Sequence, residues 1–441
     1  MTRSITKAVS RAATRRRTPL ALLAAAFLLA IGGATQSEAA LLPPGNPAQQ
    51  WNAIAQDTVV STPGMFQNEA LLYMSYTQLA VYDAVAAIDG RYQQYGPRIA
   101  APAGASADAA VAEAAYRTLV HYFPAQAETL AAAHIEALAR ITDGPAKSDG
   151  TAVGATAAAN LIAVRADDGR QPVGTLTPYT PPAAAGPAFW EPTPPAFLAP
   201  QTPWLKDVRP FVIESPDRFL PEPPPALDSQ RWVDDYNEIK LWGRATGSPR
   251  TPEQTDIARF WSTNVIRQYN TAFRGIATDH GLGLLQTARL LALANITGAD
   301  TQIACWHAKY HYGFWRPITA IAATGRDDDN AATAKDPTWT PTLTTPNHPE
   351  YPAAHGCLTS AMAEVFSNFL NTNRIDVTLT STTAPTMPTR HFERANDLRA
   401  EIINARLWAG LHYRNSSVQG VTLGRKVAKY VLRHALQPIA Q

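Results

Sequence analysis

Residues 282–317 read LGLLQTARLLALANITGADTQIACWHAKYHYGFWRP. Apolar residues recur there at three- and four-residue spacing, with no proline until Pro317, so the stretch reads as a long helix over Leu282 to Trp315. Lys309 and Arg316 are seven residues apart, two turns on one helical face. Their neighbours Trp306, Phe314 and Trp315 imply that this face is buried or lines a pocket. Buried cations are costly unless an anion meets them. On spacing alone, a solvated or salt-bridged pair fits as well.

Helical patterning extends outward from this stretch. On the N-terminal side, Glu69–Ile88, Ser106–Phe123, Gln126–Ile141 and Ala152–Val164 repeat apolar residues at helical spacing, at an alanine density that lets helices approach closely. Ser229–Trp242 and Thr251–Thr263 follow, the second opened by the capping pattern Thr251-Pro252-Glu253-Gln254. Beyond the central stretch, His355–Phe369 and a broken segment over Phe392–Leu436 complete the set. Strand signals are almost absent, and no βαβ unit or dinucleotide fingerprint occurs. The expected fold class is all-α.

Residues 170–228 break the pattern. Sixteen prolines between Pro172 and Pro225 prevent long helices or central strands. Phe189, Trp190, Phe197, Trp204, Phe211 and Phe219 supply apolar anchors, so we expect an ordered, extended strap lying across helices. The expected organisation is an export signal at 1–39, an N-terminal helical domain at 40–169, the strap at 170–228 and a C-terminal catalytic helical domain at 229–441.

The export signal rests on six basic residues between Arg3 and Arg17, an apolar run of twelve from Leu20 to Ile31, and small residues ending at Ala39-Ala40. Arg15-Arg16-Arg17 also resembles a twin-arginine signal. The run is shorter than the ~20 residues of a membrane span. Export to the periplasm or the exterior is therefore expected, without stable membrane insertion. The formal net charge of +2 comes from this segment: residues 41–441 carry 32 basic and 35 acidic groups, a net −3. That balance argues against nucleic acid as a partner. Oligomeric state is open.

Six of the ten histidines lie between 305 and 415: His307, His311, His348, His355, His391 and His412. His391 reads as a surface residue. His307 and His311, four apart, could grip zinc on one face, but Ala308 stands where a zinc protease carries glutamate. No Cys-x-x-Cys-His attachment for haem occurs. Two further constellations carry chemistry. In Pro346-Asn-His348-Pro-Glu-Tyr-Pro352-Ala-Ala-His355, proline and small residues precede a helix whose first N–H groups can face an anion. In Arg406-Leu-Trp-Ala-Gly-Leu-His412, the two end residues can reach one site from its side. Each taken alone also fits ordinary helix-start or helix-end structure.

Taken together and in this order, Lys309-x6-Arg316-Pro317, Pro352-Ala353-Ala354-His355 and Arg406-x5-His412 resemble the signature of the vanadium-dependent haloperoxidase and acid phosphatase superfamily. The surrounding Phe-Trp-Arg-Pro and Pro-Glu-Tyr-Pro wording, with Trp190-Glu-Pro-Thr-Pro-Pro-Ala-Phe197 and Arg250-Thr-Pro-Glu-Gln-Thr255, is similar to the exported bacterial haloperoxidase branch. The resemblance implies an all-α helical-bundle fold and orthovanadate as cofactor. It also implies hydrogen peroxide, a halide and a small organic acceptor as reaction partners. Lys309, Arg316, Arg406 and the backbone N–H of Ala354 would hold the oxyanion, and His412 would be its metal ligand. His355 would exchange protons with peroxide, with Lys309 beside it. His348, seven residues before His355, resembles the bromide-oxidising type.

The sequence departs from the pattern at Ala353, where the family has serine, and at Ser416, where it has an aspartate able to orient His412. Ala354 for glycine and Ala405 for serine are lesser changes. An acid phosphatase using His412 as nucleophile and an inactive oxyanion binder are the alternatives. Cys305 and Cys357, the only cysteines, are expected to be buried thiols.

Overall fold

The computed structural model describes residues 42–179, 187–322 and 327–439; the export signal lies outside them. Helix α9 (Leu284–Tyr312) is the axis of the fold and is buried along most of its 29 residues. A helix that is apolar on nearly all sides can only be a core helix, and α2 (Gln67–Asp89), buried almost as completely, packs along it. Around this pair lie α1 (Pro47–Ser61), α3 (Ala107–Tyr122), α4 (Ala127–Ala139) and α5 (Pro145–Val164). In the second half come α6 (Gln230–Trp242), α7 (Pro252–Phe260), α8 (Val265–Asp279), α10 (Pro317–Ala322), α11 (Ala354–Phe369), α12 (Ala395–Trp408) and α13 (Arg414–His434).

Local chemistry sets the boundaries. Asn46 and Gln49 form a capping box at the start of α1, as do Thr251 and Gln254 at the start of α7. Helix α7 stops at Phe260, short of the expected Thr263, because Asn264 caps a new helix through the N–H groups of Ile266 and Arg267. Gly313, in the left-handed conformation at φ 57°, ends α9 and turns the chain toward Arg316.

The all-α reading holds, with one addition. Strands β1 (Arg374–Thr380) and β2 (Thr389–Arg394) pair antiparallel, Val377 opposite Phe392 and Thr380 opposite Thr389. In β1 the residues Ile375, Val377 and Leu379 are buried and their neighbours exposed. This period-two alternation in 374–380 is a strand signal that the sequence reading passes over. The expected broken helix over Phe392–Leu436 accordingly begins with the end of β2.

Residues 170–179 and 187–228 of the strap are described, and several of them bond to the helices and the turn after α9. Trp190 N–H donates to the Gly313 carbonyl and Trp315 N–H to that of Ala188, at 2.6 and 2.8 Å. Asp300 on α9 accepts from the N–H groups of Phe211, Val212 and Ile213. Trp190, Trp204 and Phe211 are buried as anticipated, but Phe197 is 63% exposed. The two cysteines are buried free thiols.

Glycine sets the closest helix contact. A β-carbon on Gly424 of α13 would lie 1.9 Å from the Cys357 carbonyl oxygen of α11. On Gly420 it would lie 2.6 Å from the Ala353 carbonyl oxygen, and on Gly356 2.9 Å from that of Ser417. Helix α11 starts beside His355 and α13 just after His412, so this contact fixes how the two histidines approach.

Candidate oxyanion site

The end of α9, the loop 346–353, the start of α11 and the segment between α12 and α13 converge on one cavity of about 70 Å³. That is room for a few water molecules, or an anion of similar size. His348, Ala354, His355, Arg406 and His412 line it, together with Trp306, Gln302, Gln201 and residues of α2. Lys309 and Arg316 stand behind this wall, both fully buried.

The wall is held by the two rear cations. Lys309 Nζ donates to the carbonyls of Pro349 and Glu350 at 2.8 and 3.0 Å. Arg316 Nε donates to the His348 carbonyl at 2.9 Å, and one terminal nitrogen donates to that of Leu411 at 3.0 Å. That same nitrogen lies 3.2 Å from His412 Nε2. The other terminal nitrogen of Arg316 lies 3.0 Å from His348 Nδ1, and the His348 ring packs 5.1 Å from Trp306.

A guanidinium only donates, so His412 Nε2 beside Arg316 carries a lone pair and Nδ1 carries the proton. That proton is received by Glu350 Oε1 at 2.9 Å, which also accepts the Tyr413 N–H at 3.1 Å. The carboxylate missing at Ser416 is thus supplied by Glu350, 62 residues before His412 in sequence. This corrects the expectation that His412 lacks an orienting acid. The Ser416 hydroxyl also faces Glu350 and favours its charged form. The signal for Glu350 was a glutamate inside an apolar, proline-bounded loop.

Burial dominates the titration of every group here. It lowers Arg406 to about 9, with Arg316 adding repulsion. Lys309 falls to about 8 and Arg316 to about 10 by the same cause. His348, His355 and His412 are pushed well below 6.5 by burial and then by the neighbouring cations. Glu350 rises to about 8 through burial, which outweighs Lys309 and Arg316. Of the three cations, Lys309 and Arg316 face Glu350, whereas Arg406 does not. On the cavity wall, His355 Nε2 and Arg406 Nε are buried and find no hydrogen-bond partner among the described residues; behind it, the same holds for Glu350 Oε2 and Ser416 Oγ. The first N–H groups of α11 have no acceptor within the helix.

A small, donor-rich site with excess positive charge and orphaned donors fits a tetrahedral oxyanion. The His412 Nε2 lone pair is held by Arg316 in this structure and would turn to the anion when one binds. Ala353 is buried and caps α11 without a side-chain hydrogen bond. His391 lies exposed on β2, 3.1 Å from Asp376. His307 and His311 stack 6.1 Å apart on α9, outside the cavity wall.

Known proteins share this fold. Residues 289–441 match the family profile of the VCPO second helical-bundle domain. The vanadium chloroperoxidase of Curvularia inaequalis is 24% identical over 277 residues, 47% of this chain and 44% of that protein. The match thus spans less than half the length of the curated relative. A bacterial vanadium-dependent iodoperoxidase superposes with TM-score 0.75 at 22% identity, covering 91% of this chain and 100% of its own. A holo bacterial vanadium-dependent chloroperoxidase gives 0.67 at 17% identity, over 89% and 98% of the two chains.

Proposed function

We propose, from the superfamily relationship that these matches support, that the chain is a vanadate-dependent haloperoxidase oxidising halide, bromide in the first place, with hydrogen peroxide. The observation that carries this reading is the His412 Nε2 lone pair, fixed by Glu350 and Arg316, on the wall of a cavity whose Arg406 and His355 have unmet polar atoms. Orthovanadate, when bound, supplies the activation of peroxide toward two-electron oxidation of halide.

The residues of the chain divide the remaining work. Arg406 meets the oxyanion through its unpartnered Nε, and the Ala354 N–H faces it from the start of α11. Lys309 and Arg316 add charge from behind and hold the loop 348–350 in place. His412 offers Nε2 as ligand. His355 is neutral near pH 7, because its pKa is held well below 6.5, so its Nε2 can take a proton from peroxide and return it. His348 lies on the wall against Trp306 and Arg316, and its place seven residues before His355, which resembles the bromide-oxidising type, supports bromide.

The same lone pair could attack a phosphoryl group, which keeps acid phosphatase as the second reading. Loading the anion-free protein with orthovanadate and assaying bromide oxidation beside phosphate-ester hydrolysis decides between them. Peroxide- and vanadate-dependent bromide oxidation supports the proposal. Ester hydrolysis inhibited by vanadate, without bromide oxidation, overturns it. Anion binding with neither activity identifies an inactive oxyanion binder.

A further inference from the structure

Besides its cations and imidazoles, the wall of the oxyanion cavity carries four side-chain amides, those of Gln67, Asn68, Gln201 and Gln302. Gln67 Oε1 is spent on the Val265 N–H, which it accepts at 3.0 Å. Asn68 donates to the Thr202 hydroxyl and accepts from Gln201 Nε2 at 2.6 Å, and Gln201 itself is only half-buried. Gln302 differs from all three. It stands on α9 seven residues before Lys309, two turns along the same face, and is 3% exposed. Its Nε2 points to the Ala354 carbonyl at 3.5 Å, which turns Oε1 the other way. Oε1 meets no donor among the described residues and is not sealed off, so its open surface lies in the cavity that Gln302 lines. Of the four amides, Gln302 is thus the deeply buried one whose oxygen is unspent.

An amide oxygen can only accept a hydrogen bond, whereas the cations around the cavity and the free N–H groups at the start of α11 only donate. His412 Nε2 faces Arg316, and the His355 ring can give or take a hydrogen bond according to its tautomer. A bare oxyanion oxygen against Gln302 Oε1 would set lone pair against lone pair. An O–H group there completes a hydrogen bond instead. We propose that Gln302 makes the cavity selective for tetrahedral oxyanions that carry a proton, with Oε1 accepting the anion's O–H group. A site built to bond a ligand's O–H rejects analogues without one, because its buried polar atom is then left unpaired. Around neutral pH, phosphate, arsenate and vanadate carry such a proton, and sulfate and selenate do not. The positive charge of the site cannot produce this preference, since it favours the fully ionised sulfate. The inference rests on reading the cavity as an oxyanion site and is independent of the reaction that follows there.

Calorimetric titration of the anion-free protein around neutral pH, with phosphate, arsenate, sulfate and selenate in turn, tests the selectivity. We expect phosphate and arsenate to bind at least about ten-fold tighter than sulfate and selenate. Gln302→Met, similar in volume but without the amide, should narrow that ratio to about two-fold. The four-anion comparison on the parent chain needs no variant, so it decides the matter even if Gln302→Met folds poorly. Equal or tighter binding of sulfate and selenate would overturn the inference while leaving the oxyanion site standing, as would an unchanged ratio in folded Gln302→Met. If neither these four anions nor orthovanadate bind, the oxyanion site falls and the inference with it. Since no turnover is measured, these outcomes stand apart from success or failure of the bromide assay.

Discussion

Arg165 and Arg406 are both sealed from solvent, yet they are opposites. Arg165, at the end of α5, pairs with Asp168 at 2.9 Å, donates to the Pro210 and Arg209 carbonyls, and lies 4.0 Å from the Phe211 ring centre. Burial pushes its pKa down, but Tyr95, Tyr76 and Asp168 outweigh that and raise it. Arg406 has one contact to the Trp261 carbonyl, an unpartnered Nε and no acid, and falls to about 9. A structural cation carries its counter-charge within the fold, whereas a functional one is left waiting for an external anion. Burial alone does not separate the two; the list of partners does.

The contrast can be broken at several points. His412→Ala should have the largest effect, abolishing vanadate binding by titration, because the presented imidazole is lost; parent-like affinity would remove His412 as ligand. Asp168→Ala should cost about 3–5 kcal/mol of unfolding free energy in urea, since Arg165 is then buried without its partner. Arg406→Ala should behave in the opposite way. It should lower vanadate affinity by about 3 kcal/mol while changing the stability of the anion-free protein by no more than about 1 kcal/mol. If it destabilises as Asp168→Ala does, the distinction between the two arginines fails.

Glu350→Gln sharpens the contrast through pH. The Glu350 pKa rises from 4.5 to about 8 on folding. The folded chain thus holds this proton more tightly than the unfolded one. Its contribution is fully present below 4.5 and is lost as pH rises toward 8. Parent minus variant stability should therefore fall by roughly 3–4 kcal/mol between pH 5 and 8. A difference that stays flat would mean that Glu350 titrates as an ordinary carboxyl. The smallest effect is expected for Ala353→Ser, which adds a hydroxyl at the cap of α11 next to the Ala354 N–H. It should tighten vanadate binding about five-fold, or ~1 kcal/mol. Equal or weaker affinity would mean that residue 353 does not address the anion.

Much of the site was legible through a resemblance, whose motif order names Lys309, Arg316, His355, Arg406 and His412. Helical spacing misreads the first pair: α9 ends at Tyr312 and Gly313 turns the chain, so Lys309 and Arg316 do not share a helical face. What spacing could not show is which donors are already taken. Lys309 and Arg316 spend theirs largely on carbonyls of the loop 348–350 and of Leu411, and so stand behind the cavity rather than on it. The role of Glu350 is hidden for a related reason. The resemblance puts an orienting acid at a fixed offset from His412, at Ser416, while the fold brings one from a loop joined to it only in space. The β1–β2 hairpin was missed because seven alternating residues weigh little beside long helices. Phe197 was taken for an anchor because composition does not tell which side of a strap faces the core.

The contact between α11 and α13 has a consequence for how this site can change. The distance between the helices that carry His355 and lead away from His412 is gauged by missing methyl groups at Gly356, Gly420 and Gly424, against carbonyl oxygens that cannot step aside. Any side chain there would wedge the helices apart and pull the His355 and His412 imidazoles away from each other, with every motif residue still in place. The reach of the site is therefore written into three positions that never touch it, and a chain could lose its chemistry there while its signature still read as intact.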